Sequence, residues 1–125
     1  MESRGSIEKR KHKRFKVKER VFVEVSVKPI KVGEMIDISA GGLSFQYLAN
    51  GDIDPKILQI KIEYLPNGFS SELMTVRTVW DDIVIPKYWT ETIKTRRRGV
   101  CFERLNESQK YQIDHLIEKY AVATL

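Results

Sequence analysis

Val21, Val23, Val25 and Val27 alternate with Phe22, Glu24, Ser26 and Lys28, the period-two pattern of a strand with one buried face. Pro29 ends the run. Residues 32–38 and 43–48 read as two further short strands, and Asn50-Gly51-Asp52 with Pro55 as a loop. Leu58, Ile60, Ile62 and Tyr64 alternate with Gln59, Lys61 and Glu63, a clear strand. Pro66-Asn67-Gly68 has the composition of a hairpin turn. Residues 74–80 run back from it, carrying β-branched Thr75, Val76, Thr78 and Val79. Asp81-Asp82 is expected to break that strand, leaving 81–96 as a loop or as a hairpin interrupted at Pro86. Gly99-Val100-Cys101-Phe102 reads as a last strand.

The periodicity then changes. Ile113, Leu116, Ile117 and Tyr120 fall at i, i+3, i+4 and i+7, the stripe of an amphipathic helix. Asn106 with Gln109 three residues on is a capping-box start. The pattern predicts a helix over about 106–121, covering an opening in the strand assembly. Six or seven short antiparallel strands and one helix give an all-β-dominated fold, a small barrel or a sandwich with a helical lid.

Composition adds bounds. The chain has 125 residues, 42% hydrophobic, the size of one domain with a real core. No apolar run of membrane-spanning length occurs, and no apolar stretch follows the basic N-terminus as in a signal peptide. The single cysteine, Cys101, allows no internal disulfide, so a reducing cytoplasm is the expected location. Cys101 is expected in the core, and Trp80 in the core or at the rim.

Charge is uneven. The first 20 residues hold nine Lys and Arg against Glu2, Glu8 and Glu19, a surplus of six, whereas the whole chain carries +5. A basic head on a near-neutral body implies an anionic partner.

Two segments carry candidate chemistry. Arg10-Lys11-His12-Lys13-Arg14 is an R-x-x-x-R spacing just before the first clear strand. Asp37-Ile38-Ser39-Ala40-Gly41-Gly42 is a D-x-S-x-x-G spacing between two strands. Each alone is weak, and Asp37 with Ser39 could simply bond a turn. Together, in this order, with Gly99-Val100-Cys101-Phe102 and the helix from Asn106 behind them, they resemble the PilZ domain family over most of the chain.

The resemblance implies a six-stranded antiparallel β-barrel with a C-terminal α-helix. It divides the chain into a basic flexible segment over 1–14 and one barrel domain over 15–125. It implies a stand-alone receptor for cyclic di-GMP, a bacterial second messenger, with Arg10, Arg14, Asp37, Ser39 and Gly42 as ligand-binding residues. No catalytic residue, metal or cofactor is expected, and the protein is not expected to be an enzyme. The partners implied are cyclic di-GMP and an unidentified downstream protein, in motility, biofilm, exopolysaccharide or virulence control, the receptor being a monomer or a ligand-dependent dimer.

The residue chemistry agrees. Guanine offers O6 and N7 to a guanidinium, and its N1–H and N2–H₂ to a carboxylate or hydroxyl. Arginine stacks on purines and forks onto phosphate. Glycine at 42 is expected to leave the ligand room. Ligand is expected to order the polar head. Two other readings compete: a PilZ-type interaction module that takes no nucleotide, as in type IV pilus function, and a nucleic-acid binder with a basic arm. The first lacks a reason for the intact signature; the second predicts a steep loss of affinity with salt. Tyr88 and Trp89, close to Arg96-Arg97-Arg98, read as core filling or as a docking surface.

Overall fold

The computed structural model describes residues 12–48, 55–84 and 95–125. Among them the chain forms β1 (Phe15–Val17), β2 (Val21–Val25), β3 (Lys31–Ile38), β4 (Gly42–Leu48), β5 (Ile57–Tyr64), β6 (Phe69–Ser70), β7 (Met74–Val84), β8 (Thr95–Phe102), α1 (Glu107–Tyr120) and β9 (Ala121–Thr124). Neighbouring strands run β2-β5-β7-β8-β4-β3, and β3 returns to pair with β2 through Val23 opposite Gly33. These six antiparallel strands close into a barrel, which leaves its own strands no open edge.

The other three strands decorate it. β6 pairs with the end of β5. Lys18–Arg20 turn the chain, with Arg20 at a φ of 70°, so that β1 and β2 share one edge of β3: β2 takes Lys31 to Glu34, and β1 takes Asp37 and Ile38. β9 then adds to the far side of β1. None of these short strands has an alternation long enough to read from sequence.

The interior follows the predicted parity. Val21, Val23, Val25, Phe45, Ile60, Ile62, Met74 and Val76 have no exposed surface. Each such side chain contributes about 1.5–3 kcal/mol relative to an exposed one. β2 stops at Val25 rather than running on to Lys28.

Two further boundaries differ from the expectation. β7 continues through Asp81-Asp82 to Val84, and β8 starts at Thr95, four residues before Gly99. The register explains it. Asp81 stands opposite Arg98 and Asp82 opposite Arg97, so acids that would weaken an isolated strand meet cations across the ladder. Residues 85–94, with Pro86, Tyr88 and Trp89, lie outside the described residues.

α1 is capped as expected. Asn106 accepts from the Gln109 amide, and the Gln109 side chain accepts from the Asn106 amide, both at 2.8 Å. Ile113, Leu116 and Tyr120 are buried against the barrel. Tyr120 also packs its ring against Tyr64, centroids 4.3 Å apart and tilted by 34°, and accepts a hydrogen bond from Asn67. Among the described residues no helix is long and apolar enough to cross a membrane.

Candidate functional site

One cross-strand row on the outside of the barrel defines the site. Asp37 on β3 faces Ser44 on β4, Ser44 faces Gly99 on β8, and Gly99 faces Trp80 on β7. The two ends of the row are an acid and an indole, and the middle is small. Three strand steps separate the ends, about 14 Å at the usual interstrand spacing.

Neither end would face outward in a regular ladder. A register shift between Met35 and Asp37 inserts one extra residue in β3, and another between Thr78 and Trp80 inserts one in β7. Because side chains alternate with period two, a one-residue insertion reverses the face of everything beyond it. The first shift leaves Met35 inside with Phe45, turns Asp37 out beside Ser44, and returns Ile38 to the core opposite Leu43. The second leaves Val76 inside and turns Trp80 outward over Gly99.

At the first wall, β1 brings Lys16 opposite Asp37 and Phe15 opposite Ile38. Arg14 follows one step further on, diagonal to Asp37, within the reach of a long side chain. Its Nη2 donates to Asp37 Oδ2 at 2.7 Å. Asp37 is only 7% exposed, so the guanidinium compensates a carboxylate that would be costly alone. The Arg14 carbonyl accepts from the Leu125 amide beyond β9, which fixes the backbone as well.

Ser39 holds the turn that follows. Its Oγ accepts from the amides of Gly41 and Gly42, at 3.1 and 3.2 Å, and donates to the Gly42 carbonyl. Gly42 meets a demand beyond the ligand room expected of it. A Cβ on Gly42 would stand 2.1 Å from the Val100 carbonyl oxygen. Glycine is needed there because β8 approaches closely, whatever occupies the cleft.

The second wall is aromatic. The Trp80 indole packs against Gly99, where a Cβ would stand 2.3 Å from the ring nitrogen. Trp80 is 37% exposed. Between the walls lies an open cleft of about 560 Å³, with His12 at its edge and Gly42, Gly99 and Cys101 along its floor. Behind Trp80, Asp81 accepts from Tyr47, Arg96 and Arg98 at 2.5–2.6 Å. Burial pushes the Asp81 carboxyl up, and these hydrogen bonds outweigh it and hold the group below the usual carboxylate range. Burial, with the hydrogen bond to Asp81 adding to it, pushes the Tyr47 phenol up to about 12. Among the described residues no group of three His, Cys, Asp or Glu side chains could hold a metal ion.

The family model "PilZ domain" matches residues 8–119. The chain is a PilZ domain. Solved structures share its fold at low identity. One is described as "PilZ domain with c-di-GMP of YcgR from Escherichia coli"; it is 13% identical with a TM-score of 0.69, over 87% of this chain and 88% of that one. The K. pneumonia MrkH–c-di-GMP complex is 11% identical with a TM-score of 0.69, over 87% of this chain and 51% of that one. The Borreliella burgdorferi PlzA protein in complex with c-di-GMP is 10% identical with a TM-score of 0.58, over 80% and 44%. This PilZ domain thus spans about half the length of MrkH and of PlzA. No curated protein sequence matches it.

Of the five positions singled out from sequence, this PilZ domain brings Arg14, Asp37, Ser39 and Gly42 to one cleft. Arg10 lies outside the described residues. One expectation is corrected. Cys101 is half-buried on the cleft floor rather than in the core, because its parity matches Gly99 and not Val100. Of the two places expected for Trp80, core or rim, the core is ruled out: it is a cleft wall. Its aromatic partner position was hidden by the β7 shift, although a glycine inside a strand, Gly99, does signal close approach.

Proposed function

We propose that this PilZ domain is a receptor for cyclic di-GMP, with Arg14, Asp37 and Trp80 as its main contacts and Arg10, four residues upstream of Arg14, as a second guanidinium. The observation that carries this reading is the Arg14–Asp37 pair at 2.7 Å, set across a small-residue floor from Trp80. A carboxylate can accept from the N1–H and N2–H₂ edge of a guanine, and a guanidinium fork can take a phosphate or the O6/N7 edge. An indole face accepts a base by stacking, on the order of 1–3 kcal/mol. Acid, fork and aromatic face together match a guanine nucleotide with phosphates better than they match a featureless polyanion. Engaging Arg10 and Arg14 at once re-positions the basic segment against the barrel, a surface change that a downstream protein can read.

The test is a calorimetric titration of cyclic di-GMP into the purified protein, with GTP as control ligand and Arg14→Lys alongside. Lysine keeps the charge beside Asp37 but cannot fork. Binding in the micromolar range or tighter, absent with GTP and lost in Arg14→Lys, supports the receptor. A folded protein that gives no heat at millimolar cyclic di-GMP overturns it and leaves an interaction module that takes no nucleotide.

A further inference from the structure

Behind the Trp80 wall sits a polar cluster that touches no part of the cleft. Tyr47 on β4 and Arg98 on β8 are 4% and 5% exposed, and Asp81 on β7 lies between them. The Arg98 guanidinium stands 5.9 Å over the Tyr47 ring. Replacing such a cluster with apolar side chains of similar volume would often be neutral or stabilising, so its presence at the barrel's interior asks for another reason.

The geometry of Arg98 supplies one. Its Nε donates to Asp81 Oδ2 at 2.6 Å, and its Nη1 donates to Thr78 Oγ1 at 3.1 Å. Thr78 and Asp81 lie on either side of the β7 register shift, before and after the inserted residue. One side chain therefore clamps both flanks of the bulge. In the unshifted register Val79 would stand opposite Gly99, and Trp80 would be turned inward opposite Arg98. Asp81 would then face outward, away from Arg98, Arg96 and Tyr47. The three hydrogen bonds to the Asp81 carboxylate and the outward indole thus belong to the same register, and each excludes the alternative.

We propose that Arg98, Asp81 and Tyr47 are positioning residues that lock the β7 bulge and so hold Trp80 as a wall of the cleft. They tune ligand affinity without touching ligand. The affinity half of this rests on the cyclic di-GMP reading; the positioning half does not.

The chain has two tryptophans, so Trp89→Phe leaves Trp80 as the sole indole. In that background Asp81→Asn and Tyr47→Phe are compared by acrylamide quenching of Trp80 and by cyclic di-GMP titration, with circular dichroism confirming the fold. Both variants are expected to raise quenching, Asp81→Asn more. Asp81→Asn is expected to weaken binding about tenfold, the scale of one lost base–aromatic stack. In a Trp80→Ala background the same change should cost less than about twofold, because the coupling runs through the indole. Unchanged quenching in folded Asp81→Asn, or a tenfold loss that persists without Trp80, overturns the proposal. Should Asp81→Asn fail to fold, Tyr47→Phe decides by the same readings, since it keeps the ring and removes one donor. If the wild type binds no cyclic di-GMP, the receptor reading fails while quenching still decides whether the cluster positions Trp80.

Discussion

The Arg14–Asp37 wall and the Trp80 wall stand at the two ends of one cross-strand row, and each is turned outward by a one-residue shift. They are secured differently. Arg14 and Asp37 hold one another directly, with the guanidinium side chain still 29% exposed. Trp80 makes its contact with a glycine, and the proposed fastening, Arg98 bonded to Asp81 and Thr78 on either side of it, lies behind the cleft. In the proposed receptor the first wall is at once fastener and contact, so a ligand that recruits Arg14 must compete with, or share, its ion pair. The second separates the two tasks, so its contact can be altered without disturbing its fastening.

Arg14→Ala breaks this comparison most severely. It removes the guanidinium proposed to fork onto phosphate or guanine and takes the partner from a nearly buried carboxylate. Affinity for cyclic di-GMP should fall by about a hundredfold or more, the loss of two charge-assisted hydrogen bonds. Stability should fall by about 2 kcal/mol, less than the 3–5 kcal/mol for a fully buried pair because Arg14 is partly solvated. Urea unfolding beside calorimetry separates the two; lost affinity at unchanged stability would mean the pair is not a fastener.

The paired glycines give the next largest effect. Gly42→Ala drives a Cβ into a backbone oxygen of β8 and should cost about 1–3 kcal/mol, as overpacked sites do. Gly41→Ala meets only the edge of the His12 ring, at 2.7 Å, which can swing away, so its cost should stay within about 0.5 kcal/mol. Equal melting temperatures for the two variants would show that the Val100 contact is not what demands glycine.

How much of this could be read beforehand follows from the same contrast. Arg14, Asp37, Ser39 and Gly42 were visible because two motifs lie in short contiguous stretches. The barrel strands and α1 were visible because period two and period 3.6 persist for several residues. For Trp80 the sequence cannot decide between core and rim, because its face depends on an extra residue in β7 that leaves the local pattern strand-like on both sides. The β7 and β8 extensions were missed for a related reason: Asp81 and Asp82 look like strand breakers until Arg98 and Arg97 are placed opposite them. Three-residue β1 and four-residue β9 owe their existence to β3 and to each other, a tertiary cause with no local signature.

Trp80→Ala sharpens the comparison from the other side. With the indole 37% exposed, its loss should leave stability nearly unchanged and weaken cyclic di-GMP binding about tenfold. A large fall in melting temperature would make Trp80 a structural residue and return all recognition to the first wall.

The smallest effect concerns pH and only the second wall. Tyr47 in the folded state titrates near 12, against an ordinary value of 10. A raised folded value means the neutral phenol is favoured, so its contribution is complete below pH 10 and is lost as pH climbs from 10 toward 12. Tyr47→Phe lacks both the donor and the titration. It should be about 1 kcal/mol less stable than wild type at pH 8, the worth of one hydrogen bond, and the gap should close and then reverse as pH climbs from 10 toward 12, because the shift of the phenol outweighs one hydrogen bond. Urea unfolding at pH 8, 10 and 11.5 reads this directly. A gap that stays constant would mean that neither burial nor the Asp81 carboxylate raises the phenol, and the clamp behind Trp80 would then rest on Arg98 and Arg96 alone.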